Sequence, residues 1–133
     1  MALVLVIGNG AYTNAPPLKN PPNDAHDISA ALKALGFDVT SGINVNQRDM
    51  KRLIREFGQK LKAGASGLFY YAGHGLQAKG RNYLIPVDYD IQSEAEVENA
   101  GVDVNLLVNY MDDAQNRLNI VILDACRSVF AGK

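Results

Sequence analysis

Asn119-Ile-Val-Ile-Leu-Asp-Ala-Cys126-Arg-Ser128 reads as a buried strand that carries the one cysteine of the chain to its C-terminal end. Its unbroken aliphatic run, Ile120 to Leu123, suits a strand covered on both faces. A second run, Gly67-Leu-Phe-Tyr-Tyr-Ala-Gly-His74-Gly75, delivers a histidine in the same manner. A thiol and an imidazole at two strand ends are a candidate nucleophile and base. The other segments then serve as the scaffold that brings them together.

Ahead of these strands, Ala2 to Ile7 is apolar at every position, a further strand of the covered kind. Gly8-Asn-Gly10 breaks it. A dinucleotide-binding fingerprint requires a third glycine three residues on, where Thr13 stands, so the break is read as a turn. Tyr12 to Pro22 is a loop, with Pro16-Pro17 and Pro21-Pro22 interrupting regular structure. Ala25, Ile28, Leu32 and Leu35 recur at spacings of three and four. This predicts a helix over about 23–35, capped by Asn20 or Asn23 and ended by Gly36. Asp24 and Asp27 fall near its N-terminus, where the helix dipole favours a carboxylate; His26 is read as a surface or packing residue. A weaker strand follows over 37–45. A second helix begins at Asn46, with Met50, Leu53, Ile54, Phe57 and Leu61 on one stripe and a charged, solvated face opposite. The third strand spans 68–72. A small hairpin turns at Lys79-Gly80-Arg81-Asn82. An acidic loop covers 88–101, a third helix 104–111, and the fourth strand 120–123.

Strands that alternate with helices in this order predict a single α/β domain. Its sheet is mostly parallel and flanked by helices on both faces. Active sites in such sheets lie beyond the carboxyl ends of the strands, where His74 and Cys126 both fall. The chain is 133 residues long, 47% hydrophobic and 20% charged, an ordinary balance for one core. Its formal net charge of −1 gives no argument for nucleic acid or an anionic membrane as partner. No apolar run approaches a membrane span. One cysteine excludes an internal disulfide, and with two histidines makes a cysteine-based zinc site a poor reading. A free thiol fits a reducing compartment, so a cytoplasmic location is expected.

A thiol attacks only as thiolate, and a nearby histidine can take its proton. If strands three and four are neighbours, about 4.8 Å apart, their ends bring the two side chains within reach. Gly73 and Gly75 leave the backbone beside the histidine open to a substrate. The amides of Gly75 and Cys126 are candidate oxyanion donors. The bland alternative treats Cys126 as a small hydrophobe and His74 as structural.

Tyr70-Tyr-Ala-Gly-His74-Gly75 and Leu123-Asp-Ala-Cys126-Arg127 resemble the two active-site motifs of the caspase-like cysteine proteases. In caspases the histidine lies roughly 50 residues before the cysteine, as it does here. Within that clan the chain is most similar to paracaspases and prokaryotic caspase-like proteins. The likeness includes Asn23-Asp24-Ala25 and Leu84-Ile-Pro-Val-Asp88, so residues 1–133 are expected to form a caspase-like, p20-like catalytic domain. The resemblance implies that Cys126 attacks the scissile carbonyl and that His74 protonates the leaving amine. It also implies that Asp24 and Asp124 line an S1 pocket for a basic P1 side chain, to which arginine is best matched. Arg127 follows the cysteine in caspases too and does not indicate cleavage after Asp. No metal or other cofactor is expected. Calcium-dependent metacaspases carry a pair of adjacent acids before the third helix, whereas Gly101-Val-Asp103-Val104 offers one acid.

The family's domain continues into a p10-like part with two more strands. Without it the fourth strand would be an apolar sheet edge, an aggregation hazard unless covered. A C-terminal segment, a second chain or self-association is therefore expected at that edge. Cleavage after Lys133 would agree with basic specificity, though a boundary of the segment explains that end equally well. The rival expectation is a non-catalytic assembly domain, or a large-subunit fragment that is inert alone.

Overall fold

The computed structural model describes residues 2–61, 64–90 and 94–129; the side chains at 94 and 126–129 lie outside the described residues, as does Lys133. The sheet is mixed and mostly parallel. β1 (Ala2–Gly8) is flanked by β2 (Asp38–Ile43) and β3 (Ser66–Ala78), both parallel to it. β6 (Asn119–Val129) lies parallel on the other side of β3, which makes the third and fourth strands of the sequence reading neighbours. Between them β3 runs past the end of β1 and folds back into antiparallel β4 (Arg81–Leu84). β4 pairs in turn with the two-residue β5 (Val102–Asp103).

Helices cover both faces, as expected. α1 (Asn20–Ala34) lies on the face bearing Val4, Val6, Tyr70 and Ala72, with Ala25, Ile28 and Leu32 packed against them. α2 (Gln47–Leu61) and α4 (Val104–Ala114) lie on the opposite face, over Leu5, Ile7, Phe69 and Tyr71. The α2 stripe read from the sequence is buried in full. Each such side chain stabilises the fold by about 1.5–3 kcal/mol relative to exposure. Its charged face carries surface ion pairs, Arg48 and Arg52 with Asp49 and Arg52 with Glu56. Asn46 caps the helix by accepting from the Asp49 amide at 2.8 Å.

Five expectations need correction. β3 and β6 do not stop at Ala72 and Leu123; each continues beyond His74 and Cys126, because once β1 has ended β3 still has β4 and β6 to pair with. α1 begins at Asn20, with Pro21 and Pro22 inside its first turn. Proline is tolerated there, since the amide it lacks would have no intrahelical partner. Neither Asn20 nor Asn23 caps the helix: Asn23 instead donates to the Lys19 carbonyl. Asp24 consequently sits in the second turn and owes its place to something other than dipole compensation. The hairpin turn is Lys79-Gly80 alone, both at positive φ, with Arg81 and Asn82 already in β4. Within 88–101 a short helix, α3 (Val97–Ala100), buries Val97.

Candidate active site

The register of β3 against β6 sets His74 opposite Cys126, and Ala72 opposite Asp124. Strands in a sheet lie about 4.8 Å apart, so the two residues of the candidate dyad occupy adjacent positions. The Cys126 side chain lies outside the described residues; its backbone position is what the register fixes. β1 stops at Gly8, opposite Ala72. His74 therefore stands just past the end of β1, in the crevice that parallel sheets use for ligands.

The backbone of His74 is held by two tyrosine hydroxyls. Its amide donates to Tyr12 Oη at 3.0 Å, and its carbonyl accepts from Tyr71 Oη at 2.6 Å. Tyr12 Oη also donates to the Ile85 carbonyl at 2.9 Å. The Tyr12 ring lies against the imidazole, centroids 4.5 Å apart. Gly73 makes this clamp possible: a Cβ there would meet Tyr71 Oη at 2.5 Å and Tyr12 Oη at 2.8 Å, and its φ of +156° disfavours a side chain. Burial pushes the Tyr71 phenol well above its usual range, and its neighbour Tyr12 adds to this.

The imidazole is fixed as well. His74 Nε2 lies 2.7 Å from the Pro16 carbonyl. A carbonyl only accepts, so Nε2 carries the proton of the neutral ring. Nδ1 is then the atom free to exchange a proton with a nucleophile. Pro16 reaches this position because its loop is tied down at both ends. Leu18 N donates to Gly10 O, and the amides of Gly10 and Ala11 donate to Asn44 Oδ1. Asn9 is fully buried and joins three segments: its amide donates to Ala72 O, its Nδ2 to Ile85 O, and its Oδ1 accepts from Val45 N. Gly8 and Gly10 are small because Pro21, Ala25 and Leu18 pack onto them, which accounts for the turn without a nucleotide.

Asp24 from α1 and Asp124 from β6 line one cleft of about 210 Å³, together with Leu18, Lys19, Asn20, Pro21, Ala72 and Gly73. Tyr70 lies beneath, donating to Asp124 Oδ2 at 3.4 Å. Its phenol is pushed up by burial first and then by both carboxylates, so the two acids project their field onto the same spot. The structure thus brings Asp24 and Asp124 to one cleft, which reaches as far as Gly73, the neighbour of His74. Gly75 follows the dyad positions, opposite Leu84 in β4 and Arg127 in β6. Its amide and that of Cys126 belong to strand ladders. Asp103, the one acid set against a calcium site, and Asp88 are both engaged in hydrogen bonds. Asp103 accepts from Asn105 N at the start of α4 and pairs with Arg81 at 2.7 Å, while Asp88 accepts from Gln47 N. Among the described residues no three His, Cys, Asp or Glu side chains converge to hold an ion.

Tyr12, Pro16, Asn9 and Asn44 were not singled out from the sequence. An aromatic residue in an otherwise polar, proline-rich loop, and an asparagine between two glycines, were the available signals.

An α/β sheet that sets a histidine and a cysteine side by side at a strand crossover, above an acidic cleft, has the framework of a caspase-like cysteine protease. The match to known proteins agrees: residues 1–133 fit the caspase domain of peptidase family C14, and the chain belongs to that family. It is 34% identical over 125 residues to the human mucosa-associated lymphoid tissue lymphoma translocation protein 1, a paracaspase, and equally to the mouse homologue. Those alignments cover 94% of this chain but 15% of each relative, so the chain spans a small part of their length. No helix among the described residues is long and apolar enough to cross a membrane.

Proposed function

We propose that this domain is the catalytic core of a cysteine endopeptidase that cleaves after arginine or lysine. The observation that carries the proposal is the shared cleft of Asp24 and Asp124 beside the His74–Cys126 register pair. In this reading His74 Nδ1 takes the thiol proton, and the Cys126 thiolate attacks the scissile carbonyl carbon. The C–N bond breaks as the imidazolium returns that proton to the leaving amine, giving a thioester. Water then attacks the thioester, yields its proton to His74, and releases the acid and the thiolate. The Pro16 carbonyl stabilises the imidazolium formed in each half. Amides of Gly75 and Cys126 serve the oxyanion in this reading, which requires the β3–β6 ladder to part there when substrate binds. Two carboxylates against one guanidinium provide charge-assisted, bidentate pairing. Lys19 also lines this cleft and is exposed. The thiol chemistry suits the reducing cytosol.

The test compares fluorogenic peptides ending in Arg, Lys or Asp, with Cys126→Ala as control. Cleavage of the Asp peptide at an equal or higher rate would overturn the basic specificity.

One observation favours a second reading, an inert fragment or assembly domain. β6 pairs only with β3 among the described residues, and Ile120, Ile122 and Leu123 are 45, 45 and 42% exposed. A p10-like segment or second chain along this edge would complete both the sheet and the site. Labelling by an Arg-directed electrophile decides between the readings. Absence of an adduct on Cys126 with that edge covered would favour the non-catalytic one.

A further inference from the structure

His74 stands between two clefts of different chemistry. The acidic one lies on the Gly73 side. The other, also about 210 Å³, is lined by Ala15, Pro16, Leu76, Ile85 and Tyr89 together with His74 and Gly75. No charged residue lines it among the described residues. Leu76, Ile85 and Tyr89 belong to a small apolar cluster with Tyr12 and Val97, so its wall is part of a packed core and not a loose loop. Its lip is the loop that ties Pro16 O to His74 Nε2.

We infer that this second cleft receives the residue on the leaving-group side of the scissile bond and selects an apolar side chain there. The inference rests on the endopeptidase reading and deepens it. With a basic P1 side chain held by Asp24 and Asp124, the scissile carbonyl lies over the His74–Cys126 pair. His74 gives its proton to the departing amine, so that nitrogen is against the imidazole. The side chain attached to the departing residue then lies on the far side of the ring from the acids, where the apolar cleft begins. The size fits one side chain: drug-sized ligands need about 300–1,000 Å³. An acidic or amide side chain entering it would give up its hydration with only the buried, unpartnered Tyr89 hydroxyl among the lining side chains beyond His74 to bond to. Leucine, methionine or phenylalanine would bury apolar surface against Leu76, Ile85 and Tyr89. Each methylene gained or lost in such a pocket changes selectivity by about 10- to 200-fold.

The experiment uses peptides identical up to an arginine at P1 and varied after it: Gly, Ser, Leu, Phe, Asp and Asn. kcat/KM is measured for each with the enzyme that passes the electrophile test. Leu and Phe should exceed Asp and Asn by about tenfold or more. Ala15→Trp, which fills the cleft from the loop, should reverse the order of Phe and Gly. Tyr89→Ala, which widens it, should raise Phe relative to Leu. The Arg-to-Lys ratio at P1 should stay unchanged in both variants. A flat profile, or a preference for Asp, with arginine still required at P1 would overturn this inference and leave the endopeptidase reading standing. Cleavage of none of the peptides would overturn both.

Discussion

Replacing Tyr12 with phenylalanine should weaken the fold more than replacing Tyr71, although Tyr71 is the more deeply buried ring. The difference follows from which groups each hydroxyl leaves behind. Tyr12→Phe keeps the ring packed on His74 but removes the acceptor of the His74 amide and a donor to Ile85 O. Ile85 O retains Asn9 Nδ2 at 3.2 Å. The His74 amide loses the acceptor it uses, inside a part-buried strand. An orphaned donor costs about 1–3 kcal/mol, and about 2 is expected here. Tyr71→Phe removes the 2.6 Å donation to His74 O, yet that carbonyl still accepts from Ile85 N at 3.1 Å. No group is stranded, so the loss is that of an ordinary hydrogen bond, about 0.5–1.5 kcal/mol. The Tyr12–Tyr71 contact at 3.2 Å is lost in both and cancels. Urea unfolding followed by circular dichroism measures both variants against the parent. A loss in Tyr71→Phe equal to or above that in Tyr12→Phe, or a Tyr12→Phe loss under about 0.5 kcal/mol, would refute the clamp as described.

Further outcomes follow from other contacts. Gly58→Ala should destabilise by up to about 2 kcal/mol net, because a Cβ would meet Tyr110 Cγ at 2.6 Å and Cβ at 2.7 Å, a clash costing about 1–3 kcal/mol against a gain in helix propensity of about 1 kcal/mol; a higher melting temperature would contradict this. Stability should fall as pH rises above about 10: the folded protein keeps the Tyr71 phenol protonated past its ordinary value of 10.0, whereas the unfolded chain releases that proton sooner. The stabilisation is thus complete below pH 10 and is lost upward from there, so thermal melts from pH 8 to 11 should slope down, less steeply in Tyr71→Phe. Asp24→Asn and Asp124→Asn should each lower kcat/KM for an Arg peptide by about 10- to 100-fold, the equivalent of one charge-assisted hydrogen bond, while a neutral P1 residue should be affected little.

The sheet and its helices were legible because each rests on a local pattern, whereas the pairing of Asp24 with Asp124 came from the family resemblance alone. Apolar runs gave β1, β3 and β6, and the Met50-to-Leu61 stripe gave α2. Asp24 and Asp124, 100 positions apart, converge because α1 starts beside Gly8 at the end of β1, and β6 places Asp124 opposite Ala72 at that same level. What stayed hidden was decided by tertiary pairing. The length of β3 beyond Ala72 depends on β4 and β6 lying beside it, which nothing within the strand announces. The clamp on His74 comes from Tyr12 and Pro16, whose loop has no period to read. The Pro21-Pro22 pair looked like a break and is a helix start, since proline's fixed φ suits a first turn as well as a loop.

The division of labour around the dyad positions bears on how such a site would be controlled. His74 is held by four attachments that all lie within the described part of the molecule: Tyr12, Tyr71, Pro16 O and the β3–β4 turn. Cys126 rides on β6, which pairs with β3 alone among the described residues and leaves Ile120 and Ile122 exposed toward the α1 face and Leu123 toward the other. The proposed base is therefore fixed, whereas the proposed nucleophile sits on the strand with the open edge. If the edge is where a further segment or second chain docks, Ile120→Lys and Ile122→Lys should block that docking while changing the unfolding free energy of the chain alone by no more than about 0.5 kcal/mol, as for ordinary surface sites. Sedimentation of the chain with and without those substitutions reads the association, and urea unfolding reads the stability. A loss of several kcal/mol in the isolated chain would show instead that β6 is already buried in its own fold, and the argument that its edge waits for a partner would fail.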